Sequence, residues 1–140
     1  MNALKVLIDT DVLIDFLTDR GSLTKTAKEI MKKTQENEIH AFLAAHSITN
    51  IFYILRKIYS TSERKQRLLN LCRFISIVEI GQTSLLKVLL NDNFSDIEDC
   101  LQAECAMSIN ADYIVTRNVK DYVHSPIPAV LPKDLLKKIQ

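Results

Sequence analysis

Glycine and proline are scarce in this chain, 2 and 3 among 140 residues. That scarcity excludes a flexible or proline-rich linker. Neither an internal repeat nor a low-complexity tract is evident, so a single domain over residues 1–140 is expected, with 47% hydrophobic residues to form its core. No run approaches the roughly 20 apolar residues needed to span a bilayer. The opening MNALKVLIDTD reaches acids after a short apolar run, without the longer apolar core of a signal peptide. A cytoplasmic protein with no membrane association is expected. An excess of one charge is also missing, since 18 Lys and Arg face 17 Asp and Glu. Composition therefore gives no bulk attraction to nucleic acid, although the distribution of charge matters more than its sum. Basic residues gather in Arg56–Lys57, in Arg64–Lys65–Arg67 and at Lys133, Lys137 and Lys138. They serve either as solvated helix faces or as phosphate contacts.

Paired cysteines are absent too. Cys72, Cys100 and Cys105 form no CxxC and sit in apolar helical settings, as small buried hydrophobes do. His40, His46 and His124 lack metal-ligand spacing, although His46 falls where it could approach an acidic edge. No phosphate-binding P-loop, dinucleotide glycine pattern or GxSxG elbow occurs.

What is present is a recurring alternation. Leu4–Ile8 is a short, nearly continuous apolar run ending abruptly at Asp9, the pattern of a buried strand. Ile39–Ala44, Phe74–Ile80 and Tyr113–Thr116 read as further strands, and Ala129–Leu131 as a fifth. Between them lie helical spacings. Val12–Leu17 is short, and Thr24–Glu38 has one solvent face. A helix beginning at Ser47 carries Ile48, Ile51, Phe52 and Leu55, and another is capped by Thr61 or Ser62. Gln82–Leu90 turns Leu85, Leu86, Leu89 and Leu90 inward. A helix capped by Ser95, with Glu98 completing a capping box, runs to about Ile109, and Pro132 starts the last one. Strands separated by helices give a three-layer α/β/α sandwich, Rossmann-like, with a mostly parallel sheet of four or five strands. Chemistry in such folds gathers beyond the carboxyl ends of the strands.

The acids fall there. Asp9 directly follows the first strand, with Asp11 and Asp15 behind it. Asp96 and Asp99 share one helical face, and Asn118 and Asp121 follow the fourth strand. Each has a plainer role open to it. Asp11 can cap the next helix, Asp96 can complement a helix dipole, and Asn118 and Asp121 can form turns. Asp15 and Asp92 read as surface or turn residues. Thr10 or Ser47 can hydrogen-bond an acid without being a nucleophile. Carboxylates folded within a few ångströms of one another call for a cation, and oxygen ligands without Cys or His suit Mg²⁺ or Mn²⁺. The chemistry implied is phosphodiester hydrolysis by water.

The segments VLIDTDVLIDFL, HSITNIFYILRK, FSDIEDCLQAECAMSINADYIVTRNVKDY and VLPKDLL together resemble a PIN domain, in that family's order and over most of the chain. The resemblance implies a Rossmann-like sandwich and a metal-dependent ribonuclease, often the toxin of a bacterial toxin–antitoxin pair. It also implies an RNA substrate, homodimers and a small inhibitory antitoxin. Carried over by position, Asp9 is the first family aspartate and Asp99 that of the later helix, with Asp96 as an added acid. These three are the implied metal ligands. Asn50 stands where the family usually has an acid, and Asn118, followed by Asp121, at the acidic or amide position after the fourth strand. Asn50 brings a carbonyl oxygen but no charge.

Two classes of function follow, a metal-dependent endoribonuclease and a catalytically weak RNA-binding or protein-interaction module on the same scaffold. A third, a small-molecule phosphohydrolase, is matched only in part by Asp9-Thr10-Asp11-Val12.

Overall fold

A computed structural model describes residues 3–139. The first strand, β1 (Leu4–Ile8), leads through α1 (Thr10–Leu17) and α2 (Ser22–Gln35) to β2 (Ile39–Ala44). Then come α3 (Ala45–Ile54), a 3₁₀ turn at Leu55–Lys57, α4 (Thr61–Leu71) and β3 (Ser76–Val78). Two helices, α5 (Gln82–Leu90) and α6 (Ile97–Ser108), precede β4 (Tyr113–Val115). A second 3₁₀ turn (Val119–Tyr122), β5 (Ala129–Val130) and α7 (Pro132–Ile139) complete the order.

The five strands form one sheet in the order β3-β2-β1-β4-β5. Every pairing is parallel. The chain therefore winds outward from β1 in one direction and returns to its other side at β4. The notch beyond the carboxyl ends of β1 and β4 is the topological switch point, where ligands of such sheets sit. The sheet has two apolar faces because strand side chains alternate. Val6 and Ile8 join a cluster containing Leu13, Ile30, Ile51, Leu71 and Leu135. Leu7, between them, joins the opposite cluster with Ala103, Ala106 and Ile114. Helices on both faces of a parallel sheet account for the three layers.

Helix ends follow local chemistry. Asn37 and Asn110 take left-handed backbones, with φ of 61° and 53°, just past α2 and α6. Asparagine tolerates that region better than any residue except glycine, and the reversal satisfies the last helical carbonyls. The α4 cap is Ser60, one residue ahead of the expected Thr61 or Ser62, because only Ser60 makes the reciprocal bonds with Glu63. Ser47 is not a cap. The helix starts at Ala45, and Ser47 is a buried residue inside its first turn. Nor does Ser95 cap α6. Asp96 takes that place, its Oδ1 accepting from Glu98 N at 2.7 Å. Ordered β3 is shorter than Phe74–Ile80, since only Ser76–Val78 finds a partner on β2. The α5 leucines also differ from expectation. Only Val88 is buried on α5, whereas Leu86, Leu89 and Leu90 are 50%, 66% and 80% exposed. The helix lies outside α6 at the edge of its layer, so its apolar residues exceed what one neighbour can cover. Among the described residues no helix is long and apolar enough to cross a membrane.

The buried strand β4 and the Ser60 cap carry different loads. Ile114→Ala removes a side chain with no exposed surface and should destabilise by about 2–5 kcal/mol. Ser60→Ala should destabilise by only about 1 kcal/mol. Urea unfolding followed by far-UV circular dichroism measures both, and an equal loss contradicts this placement of the core.

Candidate active site

The site is built from the end of β1 outward. The Asp9 amide donates to Val115 O at 2.9 Å, which fastens the strand end to β4. The Asp9 side chain then caps α1, and Oδ1 accepts from Thr10 N at 2.8 Å. The same oxygen accepts from Gln102 Nε2 on α6 at 3.3 Å. Oδ2 accepts from Thr116 Oγ1, just past β4, at 2.8 Å. It also accepts from the Tyr122 hydroxyl at 2.9 Å. Asp9 is 7% exposed, so these donors replace the water its carboxylate loses on burial.

Beneath this carboxylate lies a small polar layer. Thr10 Oγ1 and Ser47 Oγ are 2.9 Å apart, and Gln102 Nε2 lies 3.3 Å and 3.1 Å from them, its two hydrogens shared among these hydroxyls and Asp9. The layer ties α1, α3 and α6 together at the strand ends. The Thr10 and Ser47 hydroxyls therefore bond to each other and to Gln102 and not, as expected, to an acid; the hydroxyls on Asp9 are those of Thr116 and Tyr122.

Asp99 reaches the site from the first turn of α6, where Asp96 is the cap. The Tyr122 hydroxyl lies 3.4 Å from Asp99 Oδ1 while it donates to Asp9, so one phenol links two carboxylates 90 positions apart in sequence. Burial, and next the charges of Asp96, Asp9, Asp121 and Glu98, push the Asp99 carboxyl up to about 7. Burial and the neighbouring carboxylates, Asp9 first, raise the Tyr122 phenol far above its ordinary range, so it stays a proton donor. Asp11 is raised to about 6 by burial and Asp9, against the opposing pull of Arg117. Asp11 Oδ2 accepts from Arg117 N at 3.3 Å and from Asn118 Nδ2 at 3.0 Å. Its Oδ1 is buried without a partner. Asp11 therefore tethers the loop after β4 and is not the cap of α1; Asp9 is.

Asp15 corrects a second expectation. It is 1% exposed, with Arg117 Nε at 2.8 Å from Oδ2 and Arg20 Nη1 at 3.4 Å from Oδ1. The ion pair to Arg117 holds the same loop from below. Asn118 and Asp121 are exposed, and Asp121 acts on Asp99 through charge. Asp96 is likewise exposed, with one oxygen committed to the helix cap. Asn50 is half-buried in α3, a turn past His46 and Ser47. Among the described residues no hydrogen bond joins it to the network around Asp9. His46 lies in the field of Glu98 and Asp9, and both ring nitrogens are buried without partners. Burial lowers its pKa, against the pull of those two acids, so the ring is neutral at neutral pH.

Sequence reasoning missed Tyr122, Thr116 and Gln102 as partners of Asp9. Gln102 was the most accessible of them, three residues after Asp99 and so on the same helical face. Tyr122 gave no signal beyond its place beside Asp121.

The raised carboxyls set a pH dependence. Asp11 and Asp99 bind a proton more tightly in the folded chain than at the ordinary value of 3.8. Their contribution to stability is full below about pH 4 and is lost as pH rises through about 6 and 7. The melting temperature without divalent cation should fall between about pH 5 and pH 8, less so for Asp99→Asn. An identical profile for that variant contradicts the crowding of Asp99.

Known proteins resemble this chain in sequence and fold. The chain is 26% identical over 129 residues to Ribonuclease VapC1 of Aquifex aeolicus, covering 87% of each chain. A DNA-bound VapBC structure from Salmonella typhimurium superposes with a TM-score of 0.70, at 13% identity over 92% of this chain and 98% of that one. A toxin–antitoxin complex from Klebsiella pneumoniae gives 0.67, at 21% identity over 91% and 97%. The PIN domain family matches residues 5–120, from β1 through the loop that holds Asn118, and the chain belongs to that family.

Proposed function

We propose that this chain is a metal-dependent endoribonuclease, the toxin of a toxin–antitoxin pair acting in the cytoplasm. The observation that carries the proposal is the meeting of Asp9 and Asp99 at one hydroxyl beyond the switch point of the sheet. The ribonuclease named among its relatives supports the same class of reaction.

The residues fit a hard divalent cation. Asp9 and Asp99 offer oxygen donors, and burial first and then the acids around it raise the Asp99 pKa. Among the described residues no three His, Cys, Asp or Glu side chains are gathered closely enough to enclose an ion. Mg²⁺ or Mn²⁺ does not require that, because Mg²⁺ commonly takes one or two carboxylates and keeps several waters. Asp9 and Asp99 are the proposed direct ligands, and Asp96, which caps α6, is proposed to complete the set through a retained water. When bound, the ion supplies charge for the phosphoryl oxygens and acidifies water.

The remaining steps belong to the chain. Thr10, Gln102 and Thr116 fix the Asp9 carboxylate in one orientation, so that it would present a rigid oxygen donor to the ion. Asn118, held on Asp11, faces solvent at the rim, where it would orient the substrate phosphate or a metal water, and exposed Asp121 would bind a second ion, orient water or act through an outer-shell water. Asn50 is assigned a similar orienting role from α3. Attack by water with departure of the 3′ oxygen leaves a 5′-phosphate and a 3′-hydroxyl. The guanidinium groups of exposed Arg56 and half-buried Arg67 lie over Tyr53 and Tyr59, each at 3.8 Å, and are the proposed contacts for backbone phosphates.

The partner follows from the same likeness, since the Klebsiella neighbour is a toxin–antitoxin complex. A small inhibitory protein and a second copy of this chain are the partners proposed. An apolar groove of about 520 Å³ between α3 and α4, lined by Ile48, Phe52, Leu68, Leu69 and Ile77, offers a seat for an apolar segment of such an inhibitor.

Short RNAs should be cut with Mn²⁺ and left intact without it. Asp9→Asn and Asp99→Asn should each lower the rate about a hundredfold or more while the circular dichroism spectrum is retained. Asn50→Asp should bind Mn²⁺ more tightly. Metal-independent cleavage, or undiminished cleavage by both aspartate variants, contradicts the mechanism. RNA binding without turnover favours a binding module, the reading that the uncharged Asn50 supports.

A further inference from the structure

We infer that the Tyr122 hydroxyl stands in for the cation between Asp9 and Asp99, and that it sets how tightly the site binds metal. The inference rests on the metal-dependent reading above. A carboxylate has about four acceptor positions. Thr10 N and Gln102 Nε2 take those of Asp9 Oδ1, and Thr116 Oγ1 and the Tyr122 hydroxyl take those of Oδ2. None is left for an ion. Among the described residues none of the first three donors hydrogen-bonds Asp99. Tyr122 does, with its oxygen 2.9 Å from Asp9 and 3.4 Å from Asp99. The hydroxyl therefore occupies the gap through which an ion would touch both carboxylates.

The longer contact is weak, so the proton belongs to Asp9. Entry of a cation requires this donor to leave Oδ2, while the other three still hold the carboxylate in place. Tyr122 is thus dispensable for orienting Asp9 and opposes binding. Its ring is 3% exposed and packs among Leu7, Ala103 and Ile114, so phenylalanine preserves the apolar contacts. Removing the hydroxyl leaves the cation-free site with an unfilled buried acceptor and the cation-bound site unchanged. A hydrogen bond to a charged group is strong enough for a tenfold to hundredfold change, roughly.

The test titrates Mn²⁺ alone, with free ion followed by electron paramagnetic resonance, into wild type, Tyr122→Phe and Asp99→Asn. Tyr122→Phe should bind Mn²⁺ about tenfold or more tightly than wild type, and Asp99→Asn should lose most binding. In parallel, wild type carrying ¹³Cζ-labelled tyrosine is titrated with Mg²⁺. The Tyr122 resonance should move and saturate together with binding. Equal or weaker Mn²⁺ binding by a folded Tyr122→Phe, with binding still dependent on Asp99, overturns this inference and leaves the ribonuclease reading standing. An unmoved Tyr122 resonance at saturating Mg²⁺ also overturns it, whether or not the variant folds. Wild type that binds neither ion overturns both.

Discussion

One carboxylate, that of Asp9, accepts hydrogen bonds from the start of α1, from α6, from the end of β4 and from the 3₁₀ turn beyond it. Those segments span most of the chain, and their mutual placement at the strand ends is fixed by what they donate to. The parallel sheet supplies the frame, since β1 and β4 are neighbours and end side by side. The buried charge supplies the constraint. A carboxylate 7% exposed must be satisfied by the protein, so the residues around it are chosen for their donors as much as for their volume.

A second ring of charge surrounds the first. Asp11, Asp96, Glu98, Asp99 and Asp121 add negative potential around Asp9, as the raised carboxyls show. Arg117 answers only part of it, pairing with Asp15 below the loop and giving its amide to Asp11. On the proposed reading, that imbalance is what a divalent ion would offset, and it disfavours a bare phosphate. In that setting the fold's stability and its chemistry pull in opposite directions, because the acids that would hold an ion lower stability when no ion is bound.

The strands were legible as short apolar runs with abrupt polar ends, where Asp9 and Asn118 stood out, whereas Asp99 stood out as an acid in the first turn of a helix. What local pattern could not supply was which hydroxyl or amide meets which acid. Tyr122 reads as an ordinary core aromatic, and its hydroxyl acquires meaning only when the 3₁₀ turn folds beneath Asp9. Asp15 looked like a helix-surface acid, yet it is buried because Arg117, 102 positions later, comes to lie against it. Helix caps erred by a residue or so where several Ser, Thr or Asp side chains compete, at Ser60 and at Asp96. The α5 leucines misled because periodicity measures amphipathicity and cannot say whether a neighbour exists to cover the apolar side.

The central claim is that Asp9 and Asp99 belong to one pocket that binds a cation. Anomalous diffraction from crystals soaked in Mn²⁺ near neutral pH addresses it most directly. The account predicts a manganese peak in contact with both carboxylates, with the Tyr122 hydroxyl drawn away from Asp9. Manganese bound elsewhere, with the Asp9 and Asp99 side chains undisturbed at saturating concentration, contradicts it.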